Sequence, residues 1–299
     1  MHLCFFLSPS PPFRLDLTVW GIRCRPENLA DQVGWQDLPA RIGYPRQTGA
    51  HECYTIRGVN APRHGVTAFV AYLPTSRQER GDHRPRAVVG AAGRLHELAS
   101  RYRGLKPPPF PTVWEGLVNG IACQQFSLTV GVLPLNLLAA LCGLPFGKDA
   151  ARHAFPTPND LSAVAPKSLR PLGFNGAKTH ELIGLAKETA SGELDLEAFT
   201  NLDKGEAVSR LLDPLGVGRW TAEYVLLRGM GRIDIFPGDD IGARNNLARW
   251  MHLRGPLDYD RVMRVVDKWK PYGGLIYFIC CWTHWSRSGI CGGRLRSER

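Results

Sequence analysis

Two hydrophobic periods divide this chain. Residues 13–20, FRLDLTVW, alternate strictly: Phe13, Leu15, Leu17 and Val19 fall on one side, Arg14, Asp16 and Thr18 on the other. A period of two predicts a half-buried strand. GVTAFVAYL, residues 65–73, predicts a second strand, whereas residues 26–64 carry too little periodicity to assign. HELASRYRGL predicts a helix, and KPPPFPT, Lys106–Thr112, is a stiff proline-rich linker at which a domain boundary is expected. Beyond it the period changes. Trp114, Leu117, Val118, Ile121 and Ala122 recur at i, i+3, i+4, i+7 and i+8, and Val130, Leu133, Leu137, Leu138 and Leu141 continue as the stripe of a next helix. TPNDLSAVA offers Thr157 or Asn159 as an N-cap, AKTHELIGLAKETASG should end at Gly192, and KGEAVSRLLDPL and RWTAEYVLLRGMG read as further helices. From Leu105 to about Phe278 no strand is expected. The expected fold class is α+β: a small N-terminal antiparallel-sheet domain over 1–104, then an all-helical core over 105–299.

Composition changes this picture little, and charge changes it more. The 299 residues are 44% apolar and 21% charged, ordinary for a globular protein. No run of about eighteen apolar residues predicts a membrane span, and MHLCFFLSPSPPF lacks the basic start of a signal peptide. The eight cysteines form no CxxC pair, which argues against zinc and a disulfide framework and fits a reducing, cytoplasmic setting. The net charge of +10 fits either a polyanionic partner such as nucleic acid or a solvated, arginine-rich surface.

LGVGRWTAEYV, residues 215–225, carries the candidate chemistry. Gly216 and Gly218 flank Val217 between two short helical segments. Glycines let a backbone take positive φ and let a ligand approach closely. The unpaired N–H groups opening the second helix carry the positive end of its dipole, so the turn suits a phosphate. A plain helix–helix turn with glycine caps explains the same spacing. About twenty residues on, DIFPGDDIGARNNLARW places Asp239 and Asp240 before a helix starting near Ile241. A carboxylate there serves as an N-cap, and two of them beside an anion site suggest chemistry as well.

Together, VWEGLVNGIACQQFSL, LGVGRWTAEYVLLRGMGRIDIFPGDD and WKPYGGLIYF resemble the helix-hairpin-helix DNA glycosylases, specifically the DNA-3-methyladenine glycosylase II type, over roughly residues 105 to 278. The resemblance implies hydrolysis of the N-glycosidic bond of alkylated purines in double-stranded DNA, during base excision repair, by a nucleoid-associated monomer. It implies that Leu215, Gly216, Val217 and Gly218, with Thr221, grip a DNA phosphate, and that a sodium or potassium ion bridges the Leu215 and Val217 carbonyls to it. Asp240 matches the catalytic aspartate, with Asp239 the nearby alternative. Trp220 and Tyr224 match base-pocket aromatics, and Gln124, Gln125 and Ser127 match the loop entering the gap left by a flipped base.

These residue types suit such chemistry. A base must leave the stack before its glycosidic bond can be reached. An electron-rich ring attracts an alkylated, cationic base, and a carboxylate stabilises the positive charge left on the sugar. Bifunctional members place a nucleophilic lysine two residues after the second hairpin glycine; here that residue is Trp220, so an intact abasic site is expected. Cys280, Cys281 and Cys291 lack the four-cysteine spacing of an iron–sulfur cluster, so none is expected, nor any other cofactor. The rivals are a non-catalytic helix-hairpin-helix DNA-binding module, a glycosylase with AP-lyase activity, and an inactive, decayed member. From about residue 279, ICCWTHWSRSGICGGRLRSER departs from the family pattern. Leucine codons read one base late encode Cys and Trp, so a frameshifted end is expected. Residues 26–90 also match the family poorly.

Overall fold

In the computed structural model, Thr112 starts the first helix among the described residues. Its hydroxyl accepts from Glu115 N and caps α1, Val113–Cys123. The same helix start is held from a distance: Glu197 Oε1 accepts from Val113 N at 2.8 Å and Trp114 N at 3.3 Å. The structure describes residues 3–7, 52–56, 109–110, 112–125, 128–143, 145–146, 149–153, 155–214 and 216–287. After α1 come α2 (Leu128–Cys142), α3 (Pro158–Ser162), α4 (Gly176–Ser191), α5 (Lys204–Leu212), α6 (Arg219–Arg228), α7 (Ile241–Met251), α8 (Tyr259–Val266) and α9 (Gly273–Arg287). Local signals fix several ends. Thr157 and Asp160 form a capping box on α3, and Gly192 closes α4 in the left-handed region at φ 81°.

One core joins these helices. Leu117 and Ile121 of α1, Leu138 of α2, Leu182 of α4, Leu211 of α5, Leu226 of α6, Leu247 of α7 and Ile276 of α9 are all fully buried. Burying such a side chain contributes about 1.5–3 kcal/mol. The α1–α6 contact matters most for the site. A Cβ at Gly116 would lie 2.9 Å from Gly229 Cα, and one at Gly120 would lie 3.1 Å from Thr221 Cγ2. These two glycines, one helical turn apart, let α6 approach α1 far more closely than larger residues would.

Three expectations need correction. No N-terminal sheet domain is described. Before residue 109 the described residues are a two-stranded ribbon, β1 (Leu3–Leu7) antiparallel to β2 (Glu52–Ile56). Two strands alone make a marginal unit, and neither is a strand predicted by the alternation; those at 13–20 and 65–73, and the helix at 96–105, lie outside the described residues. Alternation reports a half-buried local pattern but cannot name the partner strand. Second, the helical part is not strand-free: β3 (Pro145–Phe146) pairs with β4 (Asp149–His153), with Gly147-Lys148 between them in the sequence. A glycine-led pair of residues is a hairpin signal. Third, the α2 stripe is misassigned. Leu133, Leu137 and Leu141 are exposed, while Leu135, Leu138 and Ala139 are buried. This helix is apolar nearly all round, LTVGVLPLNLLAALC, so its sequence does not choose a face. Among the described residues no helix is long and apolar enough to cross a membrane.

Candidate functional site

The hairpin between α5 and α6 is asymmetric. Gly216 has φ 84°, a left-handed conformation that favours glycine, and it packs against the end of the Glu181 side chain on α4, whose Cδ would lie 2.0 Å from a Cβ at this position. Gly218, the N-cap of α6, is extended at φ −86° and ψ 174°, makes no side-chain cap, and would leave a Cβ in open space. Any residue can adopt that conformation, so the fold does not demand glycine there. The first turn of α6 contains no acidic residue, which leaves its positive end uncompensated from within the helix. Leu215 lies outside the described residues.

The loop after α1 is braced against the hairpin. Gln124 Nε2 donates to Gly216 O at 2.8 Å and to Thr221 Oγ1 at 2.9 Å. Its amide is therefore committed within the protein, whereas Gln125 is exposed with φ 62°, a strained value for a non-glycine residue. Lys178 of α4, buried, donates from Nζ to Ala122 O at 3.2 Å and Gln124 O at 2.7 Å, closing the C-terminal end of α1. Burial pushes the pKa of this amine down. Ser127 lies outside the described residues.

Asp240 does two things at once. Its Oδ1 accepts from Ala243 N at 2.8 Å and caps α7. Its Oδ2 accepts from Tyr277 OH at 2.9 Å and, more weakly, from Trp220 Nε1 at 3.4 Å. The bland and the chemical expectations for this carboxylate are thus compatible, one for each oxygen. Trp220 stacks on Tyr224, with ring centroids 5.2 Å apart and planes 23° apart. Tyr224 is anchored by donating from its hydroxyl to the buried Asn119 Oδ1 at 2.8 Å. Burial raises the Tyr277 hydroxyl well above its ordinary pKa, with the Asp240 charge adding to the effect, so it stays a donor. Asp239, by contrast, is paired with Arg219 and Arg244.

The structure thus brings together Asp240, Trp220, Tyr224, Thr221, Gln124 and the hairpin glycines. Sequence spacing did not reveal Asn119, Lys178 and Tyr277. Tyr277 lies in WKPYGGLIYF, one of the three informative segments, but 37 positions from its partner. An open cavity of about 580 Å³ lined by Glu188, Asp195, Phe199 and Arg210 sits beside α4 and α5 and includes none of these residues. Among the described residues no group of three or more His, Cys, Asp or Glu could hold a metal ion.

A helical core in which a glycine hairpin leads into a helix whose Trp220 stacks on Tyr224 and reaches the Asp240 carboxylate has the arrangement of a helix-hairpin-helix protein. The model of the HhH-GPD superfamily of base excision DNA repair proteins matches residues 118–271, and the chain belongs to that superfamily. It is 25% identical over 175 residues to a DNA-3-methyladenine glycosylase of Bacillus subtilis, covering 58% of each chain. It is 28% identical over 160 residues to DNA-3-methyladenine glycosylase 1 of Schizosaccharomyces pombe, covering 53% of this chain and 66% of that one. With DNA-3-methyladenine glycosylase 2 of Escherichia coli the identity is 29% over 188 residues, covering 63% and 62%. The chain thus spans less than two thirds of these relatives' lengths. Among solved structures, the 3-methyladenine DNA-glycosylase from Archaeoglobus fulgidus superposes with a TM-score of 0.64 at 22% identity, covering 77% of both chains. The Schizosaccharomyces pombe enzyme in complex with abasic DNA superposes with a TM-score of 0.57 at 22% identity, covering 70% of this chain and 98% of that one.

Proposed function

We propose that this chain is a monofunctional DNA glycosylase that hydrolyses the N-glycosidic bond of alkylated purines, of the 3-methyladenine type, in double-stranded DNA. The observation that carries the reading is the Asp240 carboxylate, held at the head of α7 with its Oδ2 beside the indole of the stacked Trp220–Tyr224 pair. A flipped cationic base binds those ring faces. As its bond to the sugar breaks, Asp240 stabilises the oxocarbenium charge and orients the attacking water. The N–H groups opening α6 receive a backbone phosphate, with Gly218 keeping that approach clear. Gln124 already occupies the Gly216 carbonyl; the flanking Leu215 and Val217 carbonyls are the ones to which we assign a monovalent cation. We read Gln125 as the residue that enters the DNA gap and Gln124 as the brace behind it. Trp220 at the position of the lyase lysine leaves an abasic site as the product, and the catalytic unit lies within residues 105–299 of a DNA-bound monomer.

The test is release of free methylated purines from methylated duplex DNA. The expected result is release of 3-methyladenine without strand cleavage before alkali. Asp240→Asn is expected to lower the rate by about 100-fold or more while binding to DNA with an abasic-site analogue persists. Equal rates in the two proteins would remove Asp240 from the chemistry. Borohydride trapping of a protein–DNA adduct would establish a lyase instead.

A further inference from the structure

The two adjacent aspartates before α7 have opposite surroundings. Asp239 Oδ1 accepts from Arg244 Nη2 and its Oδ2 from Arg219 Nε, both at 2.6 Å. Asp240 Oδ2 accepts from neutral donors, Tyr277 and Trp220. Arg244, in the first turn of α7, follows its N-cap Asp240 by four residues. Arg219 immediately precedes Trp220, whose indole reaches Asp240. Both arginines nevertheless go to Asp239.

Further contacts hold them there. Arg244 Nε donates to Gly238 O at 2.7 Å and its Nη1 to Leu257 O at 3.2 Å. The Arg219 guanidinium lies 3.8 Å over the Tyr259 ring. The Tyr259 hydroxyl donates to Glu223 Oε1 at 2.5 Å, and Glu223 Oε2 accepts from Gly238 N at 2.9 Å. The two carboxylates, two guanidiniums and one phenol therefore form a closed network around Gly238 and Asp239. The groups that act on Asp240 from α9 are of another kind. Tyr277 and Cys280 are both buried, and burial holds each protonated and neutral.

We propose that Asp239 is a charge guard, a positioning residue that ties up Arg219 and Arg244 so that Asp240 meets the reacting sugar unneutralised. The proposal rests on the glycosylase reading above. A guanidinium paired with Asp240 would cancel much of the field that stabilises an oxocarbenium ion, and would repel a cationic base. Two aspartates then have two tasks: the first absorbs the arginines, and the second faces the substrate.

The test uses the full chain and single-turnover release of methylated purines. Asp239→Asn is expected to lose about tenfold or more in rate, while binding to duplex DNA with an abasic-site analogue stays within about threefold or tightens. Asp239→Glu is expected to retain the rate. The double variant Asp239→Asn with Arg219→Gln is expected to recover at least about threefold over Asp239→Asn, because a freed arginine is removed. A purely structural role for Asp239 would not be relieved by deleting a second partner. An unchanged rate in Asp239→Asn, or a loss that the double variant leaves in place, overturns the proposal. If Asp239→Asn does not fold, Asp239→Ser and its Arg219→Gln double variant carry the same comparison. No release by the wild-type chain overturns the glycosylase reading and the guard with it; release by wild type with no effect of Asp239→Asn overturns the guard alone.

Discussion

Replacing each hairpin glycine by alanine separates what the fold needs from what DNA needs. At Gly216 an alanine would occupy the left-handed region at φ 84°, which costs an L-residue roughly 1–2 kcal/mol. Its Cβ would also meet Glu181 Cδ at 2.0 Å, but that is the end of a flexible, half-buried side chain that can swing aside, so the backbone cost dominates. Gly216→Ala should therefore destabilise the protein by roughly 1–2 kcal/mol. At Gly218 the backbone is extended and no atom lies within 4 Å of the new Cβ. Alanine there narrows the unfolded ensemble, a gain of about 0.4–1 kcal/mol, but caps a helix less well than glycine by a comparable amount, so stability should change by less than about 1 kcal/mol. On the reading proposed above, that Cβ would project where a phosphate approaches the start of α6. Losing one charge-assisted hydrogen bond costs about 1.5–3 kcal/mol, or roughly 10- to 100-fold in Kd. Urea unfolding measures the first quantity, and fluorescence anisotropy with a duplex at low salt the second, because screening weakens phosphate contacts. A folded Gly218→Ala variant that binds DNA as tightly as wild type would refute the phosphate role of the hairpin. A Gly216→Ala variant as stable as wild type would refute the left-handed backbone argument.

Two further outcomes are expected. Tyr277→Phe removes the 2.9 Å hydrogen bond to Asp240 Oδ2 and should slow single-turnover excision about 10- to 100-fold without weakening DNA binding; an unchanged rate would leave Tyr277 with a packing role only. Burial raises the Glu197 carboxyl above its ordinary pKa, outweighing the two backbone bonds from Trp114 and Val113 that lower it. The folded state then holds this proton more tightly than the unfolded chain does. Stability should fall as pH rises from the ordinary carboxylate pKa through the raised one, and level off above it. Glu197→Gln, which keeps an acceptor for α1 but cannot ionise, should flatten that fall in urea-derived unfolding free energy; identical slopes would place its source elsewhere.

The site was legible in part for a physical reason. Asp240, Trp220, Tyr224, Gly216 and Gly218 lie within about one hairpin and two helix starts of each other, and such starts have local signals: glycine for the turn, aspartate for the cap, one-turn spacing for the ring pair. The roles proposed for them rest on the resemblance, because GxG by itself fits any capped turn. What Gln124 does was not legible. Its type suits DNA contact, yet its amide goes to Gly216 and Thr221. The α2 face was not legible either, because a helix apolar on every side exposes Leu133 and buries Leu138 only once neighbours are in place.

The sequence alone determined the helical character after Thr112, the ends of α3, α4 and α7, and the segment in which the hairpin and its carboxylate lie. Each depends on interactions spanning a few residues. Tertiary structure decided what those groups meet. It placed Tyr277 on Asp240, Asn119 on Tyr224, Glu197 at the start of α1 and Lys178 at its end. It also assigned Arg219 and Arg244 to Asp239 instead of to the neighbouring carboxylate. Those choices join residues up to about a hundred positions apart. They depend on how closely α6 can approach α1 and on which charges the closing core leaves beside one another, and neither is encoded in any single stretch of the chain.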